Sequence, residues 1–159
     1  MKNQIDESQM PLLLQVAEVK VQYLPKPPLS NQPKVHNSAD AEKILRYNWS
    51  NDMELIEEFN VLFLNRANNV KGILRLSRGG LTGTVADPRI LFGAALKGLA
   101  SAIIASHNHP SGTLKPSSQD IELTKKLKEI GKLHDIQLID HIILAPHSGF
   151  YSFADEGML

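Results

Sequence analysis

The sequence predicts an α/β protein, a β-sheet with helices packed on it. Three observations carry this reading. Apolar runs of strand length recur at Phe59–Leu64, Ser101–Ser106 and Ile136–Leu144. Between them lie segments whose apolar residues follow helical spacing. Two of those segments open on helix-start signals, Asp87-Pro88 and Ser117. Strands that alternate with helices bury their apolar faces as layers of one α/β domain. The 159 residues are the length of one ordinary domain and suffice for a core without disulfide or metal staples.

The elements follow in order. Residues 1–10 are polar and expected to be loose. Val19, Val21 and Tyr23 alternate with charged or polar neighbours, as in a half-buried strand, which Pro25-Lys26-Pro27-Pro28 stops. An extended connector runs to about Pro33, so residues 1–36 read as an N-terminal extension and residues 37–159 as the domain. Asn37-Ser38 with Asp40 and Glu42 starts a short helix. A second helix is expected after Ser50-Asn51, where Asn51 and Glu54 have capping-box spacing, running toward Glu58. Phe59–Leu64 and Val70–Leu76, joined by the polar Asn65–Asn69, read as a hairpin. Arg78-Gly79-Gly80 and Thr82-Gly83-Thr84 form a flexible loop that could meet a substrate, but they lack a phosphate-loop pattern. The helix opened by Asp87-Pro88 carries Ile90, Leu91, Ala94, Ala95 and Leu96 on an expected buried side. Ser101–Ser106 is a buried strand. The helix opened by Ser117 carries Leu123, Leu127, Ile130 and Leu133, Ile136–Leu144 is another strand, and Phe150–Phe153 a last short one.

Composition narrows the function classes. Cysteine is absent, which removes disulfides, Cys-type zinc sites and thiol nucleophiles. The longest apolar run, Leu99–Ala105, is far too short to span a bilayer, and the polar start lacks the apolar centre of a secretory signal. A soluble, cytoplasmic protein without membrane contact is the expectation. Lys plus Arg and Asp plus Glu are 17 each, which argues against a protein built around nucleic-acid backbone binding. Arg66, Lys71, Arg75, Arg78 and Arg89 make a local basic interval after the acidic Asp52, Glu54, Glu57 and Glu58. It is read as solvated surface rather than a polyanion edge, with at most weak nucleic-acid binding.

The chemistry concentrates in His107-Asn108-His109-Pro110-Ser111-Gly112, followed by Ser117 and Asp120. Side chains two apart on a strand share a face, so His107 and His109 can converge on one ion while Asn108 points away. Pro110 and Gly112 turn the chain, and Asp120 falls in the first turn of the next helix, where a carboxylate is favoured. Two histidines and a carboxylate suit a catalytic zinc with a position left for water; the same donors accept manganese or iron. Each piece alone has a plainer reading: a surface His-x-His, and a Ser-x-x-Asp helix cap. Their combination is far more specific. Asp140-His141 is read as a structural hydrogen-bonded pair in an apolar strand, in preference to groups supporting metal ligands. His36, His134 and His147 read as surface residues.

The spacing His107-x-His109-Pro110, then Ser117 and Asp120, resembles the JAB/MPN metalloprotease signature known as the JAMM motif. Phe59–Asn65, Asp87-Pro88-Arg89, His107–Gly112, Pro116-Ser117-x-x-Asp120 and Leu138–Ile143, in that order, resemble a bacterial RadC-like protein over roughly Asn37 to Phe153. The resemblance implies a JAB/MPN-like, cytidine-deaminase-like fold: a mixed β-sheet flanked by helices. It implies zinc held by His107, His109 and Asp120. It implies a glutamate general base before the first central strand. Glu57 is chosen because it stands two residues before Phe59, in the family's Glu-x-Phe pattern, with Glu58 as the neighbour if the register slips by one. Ser117 is implied to orient the water or to stabilise the oxyanion. The expected function is then zinc-dependent hydrolysis of a peptide or isopeptide bond in an unidentified peptide or protein. Many RadC-like proteins carry an N-terminal helix-hairpin-helix region, and no such pattern occurs in Met1–Val35. That weakens the alternative, a DNA-repair or nucleic-acid accessory protein with a structural zinc; the intact ligand set weakens a third, a silent scaffold.

Overall fold

In the computed structural model, residues 31–79, 86–147 and 149–159 are described. The expected strand at Val19–Tyr23, the Pro-rich connector and most of the glycine-rich loop after Arg78 lie outside them. The elements are α1 (Ser38–Asn48), β1 (Glu58–Leu64), β2 (Val70–Arg78), α2 (Pro88–Lys97), β3 (Ala102–Asn108), α3 (Ser118–Leu133), β4 (Gln137–Leu144) and β5 (Phe150–Ser152).

The strands form one mixed sheet in the order β2-β1-β3-β4-β5. β1 pairs antiparallel with β2 and β3, β3 pairs parallel with β4 across the crossover through α3, and β5 returns antiparallel to β4. The central β1 and β3 are buried along their whole length, which explains their largely apolar text. Alternation then splits the core in two. Leu62, Leu64, Ile104, Ile142 and Leu144 pack with Ala41, Leu45 and Trp49 of the α1 segment. Phe59, Val61, Phe63, Ile103 and Ala105 pack with Leu91, Phe92 and Ala95 of α2 and Leu127 of α3. The result is a helix-sheet-helix sandwich, as the alternating sequence requires.

Local chemistry sets the helix starts. Asn37 caps α1 by accepting the Asp40 N–H, and Asp87 caps α2 by accepting that of Arg89, with Pro88 at the first helical position. At α3 the Ser117 hydroxyl accepts the Asp120 N–H while the Asp120 carboxylate accepts the Ser117 N–H, a complete capping box.

Three expectations are corrected. Residues 51–55 form hydrogen-bonded turns, not a second helix. So short a segment does not offset the cost of nucleating a helix. Its carbonyls are also taken: the Asn108 side chain donates to Met53 O at 2.7 Å and Ile56 O at 3.0 Å. On α2, Ile90 and Leu96 face solvent and Phe92 fills the core in their place. On α3, Leu133 is 83% exposed, because at 100° per residue it lies on the far side from the buried Leu127.

Candidate metal centre

The site forms where β3 ends and α3 begins. Phe59 of β1 stands opposite His107 of β3, and their rings lie parallel with centroids 5.9 Å apart. His107 therefore faces the α2 and α3 side of the sheet, and so does His109 two residues on. Their Nε2 atoms are 3.0 Å apart. Asp120, in the first turn of α3, brings Oδ1 to 3.2 Å from His107 Nε2 and Oδ2 to 3.7 Å from His109 Nε2. One ligand atom from each of the three residues lies within 4.8 Å of the others. A tetrahedral zinc with bonds of about 2.0–2.1 Å separates its ligand atoms by about 3.3 Å, so these donors fit that ion.

Supporting bonds aim the donors. His109 Nδ1 lies 2.6 Å from the Thr113 carbonyl, which can only accept. Nδ1 therefore carries the hydrogen, and the Nε2 lone pair faces the centre. Gly112, at φ 79, makes the turn that brings Thr113 back to the ring, and its N–H closes onto His109 O at 2.9 Å. Asp120 Oδ2 accepts the Ser117 N–H at 2.6 Å and the Ser117 hydroxyl at 2.7 Å, so the capping box fixes the carboxylate as well as the helix. Burial by itself would raise the Asp120 carboxyl. The imidazoles of His107 and His109 beside it outweigh burial and hold it well below the usual carboxylate range. The Asp120 carboxylate beside it raises His109 against the opposing effect of burial, and the charge of Glu57 adds to the rise.

The two candidate glutamates separate by strand phase. Carrying the β1–β3 register past Phe59 and His107 sets Glu58 beside Asn108 and Glu57 beside His109. Glu58 N–H donates to Asn108 Oδ1 at 2.8 Å, and the buried Glu58 carboxylate meets Arg78 Nε at 3.5 Å on the far side of the sheet. Glu57 falls in phase with the histidines.

One contribution escaped the sequence reading and another was ranked second in it. Asn108 ties the turn at Met53–Glu58 to the end of β3 by three hydrogen bonds, which flank Glu57 on both sides. Only its alternation away from the histidines was readable. His141 stands directly behind His107, its Nε2 2.9 Å from His107 Nδ1 and its Nδ1 2.6 Å from Thr124 Oγ1. Asp140 and His141 do form a hydrogen-bonded pair, through the His141 backbone N–H on Asp140 Oδ1 at 2.7 Å, while their side chains part. Asp140 turns to the other face, where it accepts the Ser152 hydroxyl at 2.6 Å and the backbone N–H groups of His141 and Ala154. The cause is a register shift: Ile103 pairs with Leu138 but Ile104 with Asp140, and the skipped Ile139 moves His141 onto the His107 face. His36, His134 and His147 are exposed, as expected.

A profile of the family described as the RadC-like JAB domain matches residues 35–158. The chain belongs to this family. Among its relatives are proteins named UPF0758 protein from Flavobacterium johnsoniae, 46% identical over 102 residues, and from Porphyromonas gingivalis, 47% over 103. A third, from Staphylococcus haemolyticus, is 45% identical over 101 residues. These matches take in 64–65% of this chain and 44–45% of each relative, so the chain spans less than half the length of the curated relatives it matches. As a RadC-like JAB domain the chain has the expected mixed sheet flanked by helices, with a His-His-Asp cluster able to hold a metal. No helix among the described residues is long and apolar enough to cross a membrane.

Proposed function

We propose that the protein is a zinc-dependent hydrolase that cuts a peptide or isopeptide bond in a peptide or protein substrate. The observation that carries this reading is the convergence of two imidazole nitrogens and a carboxylate at spacings that suit a tetrahedral ion. His107, His109 and Asp120 would hold zinc, which supplies a positive charge that acidifies water toward neutral pH and polarises a carbonyl. Glu57 takes the proton from the attacking water as the C–O bond forms, then returns it to the amine as the C–N bond breaks. Its place one residue before β1, where the extended register sets it beside His109 and its charge acts on that ring, supports that role. Ser117 holds Asp120 through its hydroxyl. That hydroxyl's single hydrogen must turn from Asp120 Oδ2 to stabilise an oxyanion.

Nucleic-acid binding is at most weak on this reading. Of the basic residues after β1, Lys71 donates to Gly98 O and Leu99 O, Arg75 to Asn48 O, Arg78 pairs with Asp52 and Glu58, and Arg89 with Asp87. These four cations are thereby engaged within the protein.

The test is elemental analysis of protein never exposed to chelator, with a screen of peptide and isopeptide cleavage. About one zinc per chain is expected, lost in His109→Ala. Glu57→Gln should keep zinc and lose roughly 10²–10⁴-fold in hydrolysis. Glu58→Gln should hydrolyse within a few-fold of the unaltered chain. Equal zinc in the His109→Ala variant places the metal elsewhere. Activity that survives Glu57→Gln and collapses in Glu58→Gln moves the base by one residue.

A further inference from the structure

Behind the three candidate ligands runs a buried chain of polar groups that ends on a pure acceptor. Thr124 Oγ1 is 2.6 Å from the carbonyl oxygen of Asp120, one helical turn back in α3. That carbonyl cannot donate, so the Thr124 hydrogen is directed to it. The oxygen of Thr124 is then left to accept from His141 Nδ1, 2.6 Å away. With its hydrogen on Nδ1, neutral His141 offers the lone pair of Nε2 to His107 Nδ1 at 2.9 Å. His107 must place its hydrogen on Nδ1, which leaves Nε2, on the side of His109 and Asp120, as the nitrogen for a metal. Each bond has one direction, and the direction is set from the Asp120 carbonyl outward.

The surroundings keep this chain intact. His141 has no exposed surface. Its ring stacks on Phe153 with centroids 5.0 Å apart and tilts against Phe59 at 5.5 Å. Burial among these rings disfavours a charged imidazole. Both of its nitrogens are accounted for, by His107 and by Thr124. Thr124 is itself buried, so water does not compete for its hydroxyl.

We infer that Thr124 and His141 are positioning residues that lock His107 in the Nδ1-protonated tautomer, presenting the Nε2 lone pair to a metal. Because the chain starts on the main chain of Asp120, it also couples the placement of one ligand to the protonation of another. The inference rests on the metal reading of the site, and its principal test needs no metal.

The first measurement is long-range nitrogen–proton NMR of ¹⁵N-histidine-labelled, chelator-treated protein, which reports which ring nitrogen carries the hydrogen. In the unaltered chain and in Thr124→Ser, His107 should be protonated at Nδ1. In Thr124→Val, which keeps the shape and removes the hydroxyl, and in His141→Phe, which keeps an aromatic ring, the tautomer should become mixed or reverse. The second measurement is zinc affinity by competition with a chromophoric chelator. Both Thr124→Val and His141→Phe should bind roughly 10–100-fold more weakly, the usual effect of removing a partner behind a metal ligand, while Thr124→Ser should bind normally. A purely structural role for Thr124 would leave the tautomer unmoved. His107 protonated at Nε2 in the unaltered chain overturns the inference, as does unchanged zinc affinity in both Thr124→Val and His141→Phe. The expected tautomer in a chain that takes up no zinc supports the relay and sinks the metal reading instead.

Discussion

Asn108 lies between the two imidazoles in sequence and on the opposite face of the sheet in space. Its amide accepts the Glu58 N–H and donates to Met53 O and Ile56 O, so one side chain fixes the backbone on both sides of Glu57. Asn108→Asp keeps the acceptor and removes both donors. The variant should retain zinc but lose about 10²-fold in hydrolysis, the scale of a base displaced by about 1 Å. It should also be less stable by about 1–3 kcal/mol for each carbonyl left without a donor. Full hydrolysis by a stably folded Asn108→Asp chain would remove Asn108 from this role. Asp140 permits a test by pH. Burial pushes its carboxyl up, and the hydrogen bonds from Ser152, Ala154 and His141 only partly offset that. Between the ordinary carboxylate range and the raised native value, the folded chain binds more protons than the unfolded one. Its contribution to stability therefore grows as pH falls and becomes a cost toward neutral pH. Asp140→Asn keeps the acceptor at Oδ1, places a donor toward Ser152 and does not titrate. In urea unfolding, its stability relative to the unaltered chain should be highest at neutral pH and fall on mild acidification. A difference independent of pH would refute the shift.

At the scale of elements, both helices on the site side end in the same way. After α2, Leu99 N–H bonds to Leu96 O and Ala100 N–H to Ala95 O, with Leu99 at φ 50. After α3, Asp135 N–H bonds to Lys132 O and Ile136 N–H to Gly131 O, with Asp135 at φ 53. These paired bonds are Schellman closures, which favour glycine at the left-handed position. Leu99 is 73% exposed and holds that position without a packing return, so Leu99→Gly should stabilise the protein by about 1 kcal/mol. Gly131→Ala should do the opposite. Its Cβ would stand 2.3 Å from Ile136 O on the backbone entering β4, and the overpacking should cost about 1–3 kcal/mol. Thermal unfolding of the two variants checks both signs; a stabilised Gly131→Ala would contradict the close approach. The same elements mark what sequence could convey. Asp87-Pro88 and Ser117-x-x-Asp120 were legible because caps are local chemistry, and β1 and β3 because burial on both faces writes a largely apolar run. The turns at residues 51–55 were misread because a distant side chain, Asn108, takes their carbonyls. The role of His141 was ranked second because the skipped Ile139 is decided by the pairing of β4 with β3, not by the text of β4.

For the molecule as a whole, the question is whether a metal builds the fold or only completes it. Two apolar clusters hold the sheet, one under α1 and one under α2 and α3 that reaches the site only through Phe59, and each spans several strands. The caps of α1, α2 and α3, the capping box at α3 among them, are made by the chain's own side chains. The site instead joins two neighbours, the end of β3 and the start of α3, which already touch through Asp120 and the histidines. Metal binding should therefore act by mass action on an already folded chain. Zinc at 100 times its dissociation constant adds about 2.7 kcal/mol of apparent stability, and removing it takes that away without unfolding the sheet. Chelation should lower the thermal midpoint while leaving the far-ultraviolet circular dichroism unchanged, and restored zinc should reverse the shift. His109→Ala should sit at the chelated midpoint and respond to neither treatment. If chelation instead abolishes the secondary-structure signal, the ion is part of the core, and the two apolar clusters do not suffice to hold the five strands together.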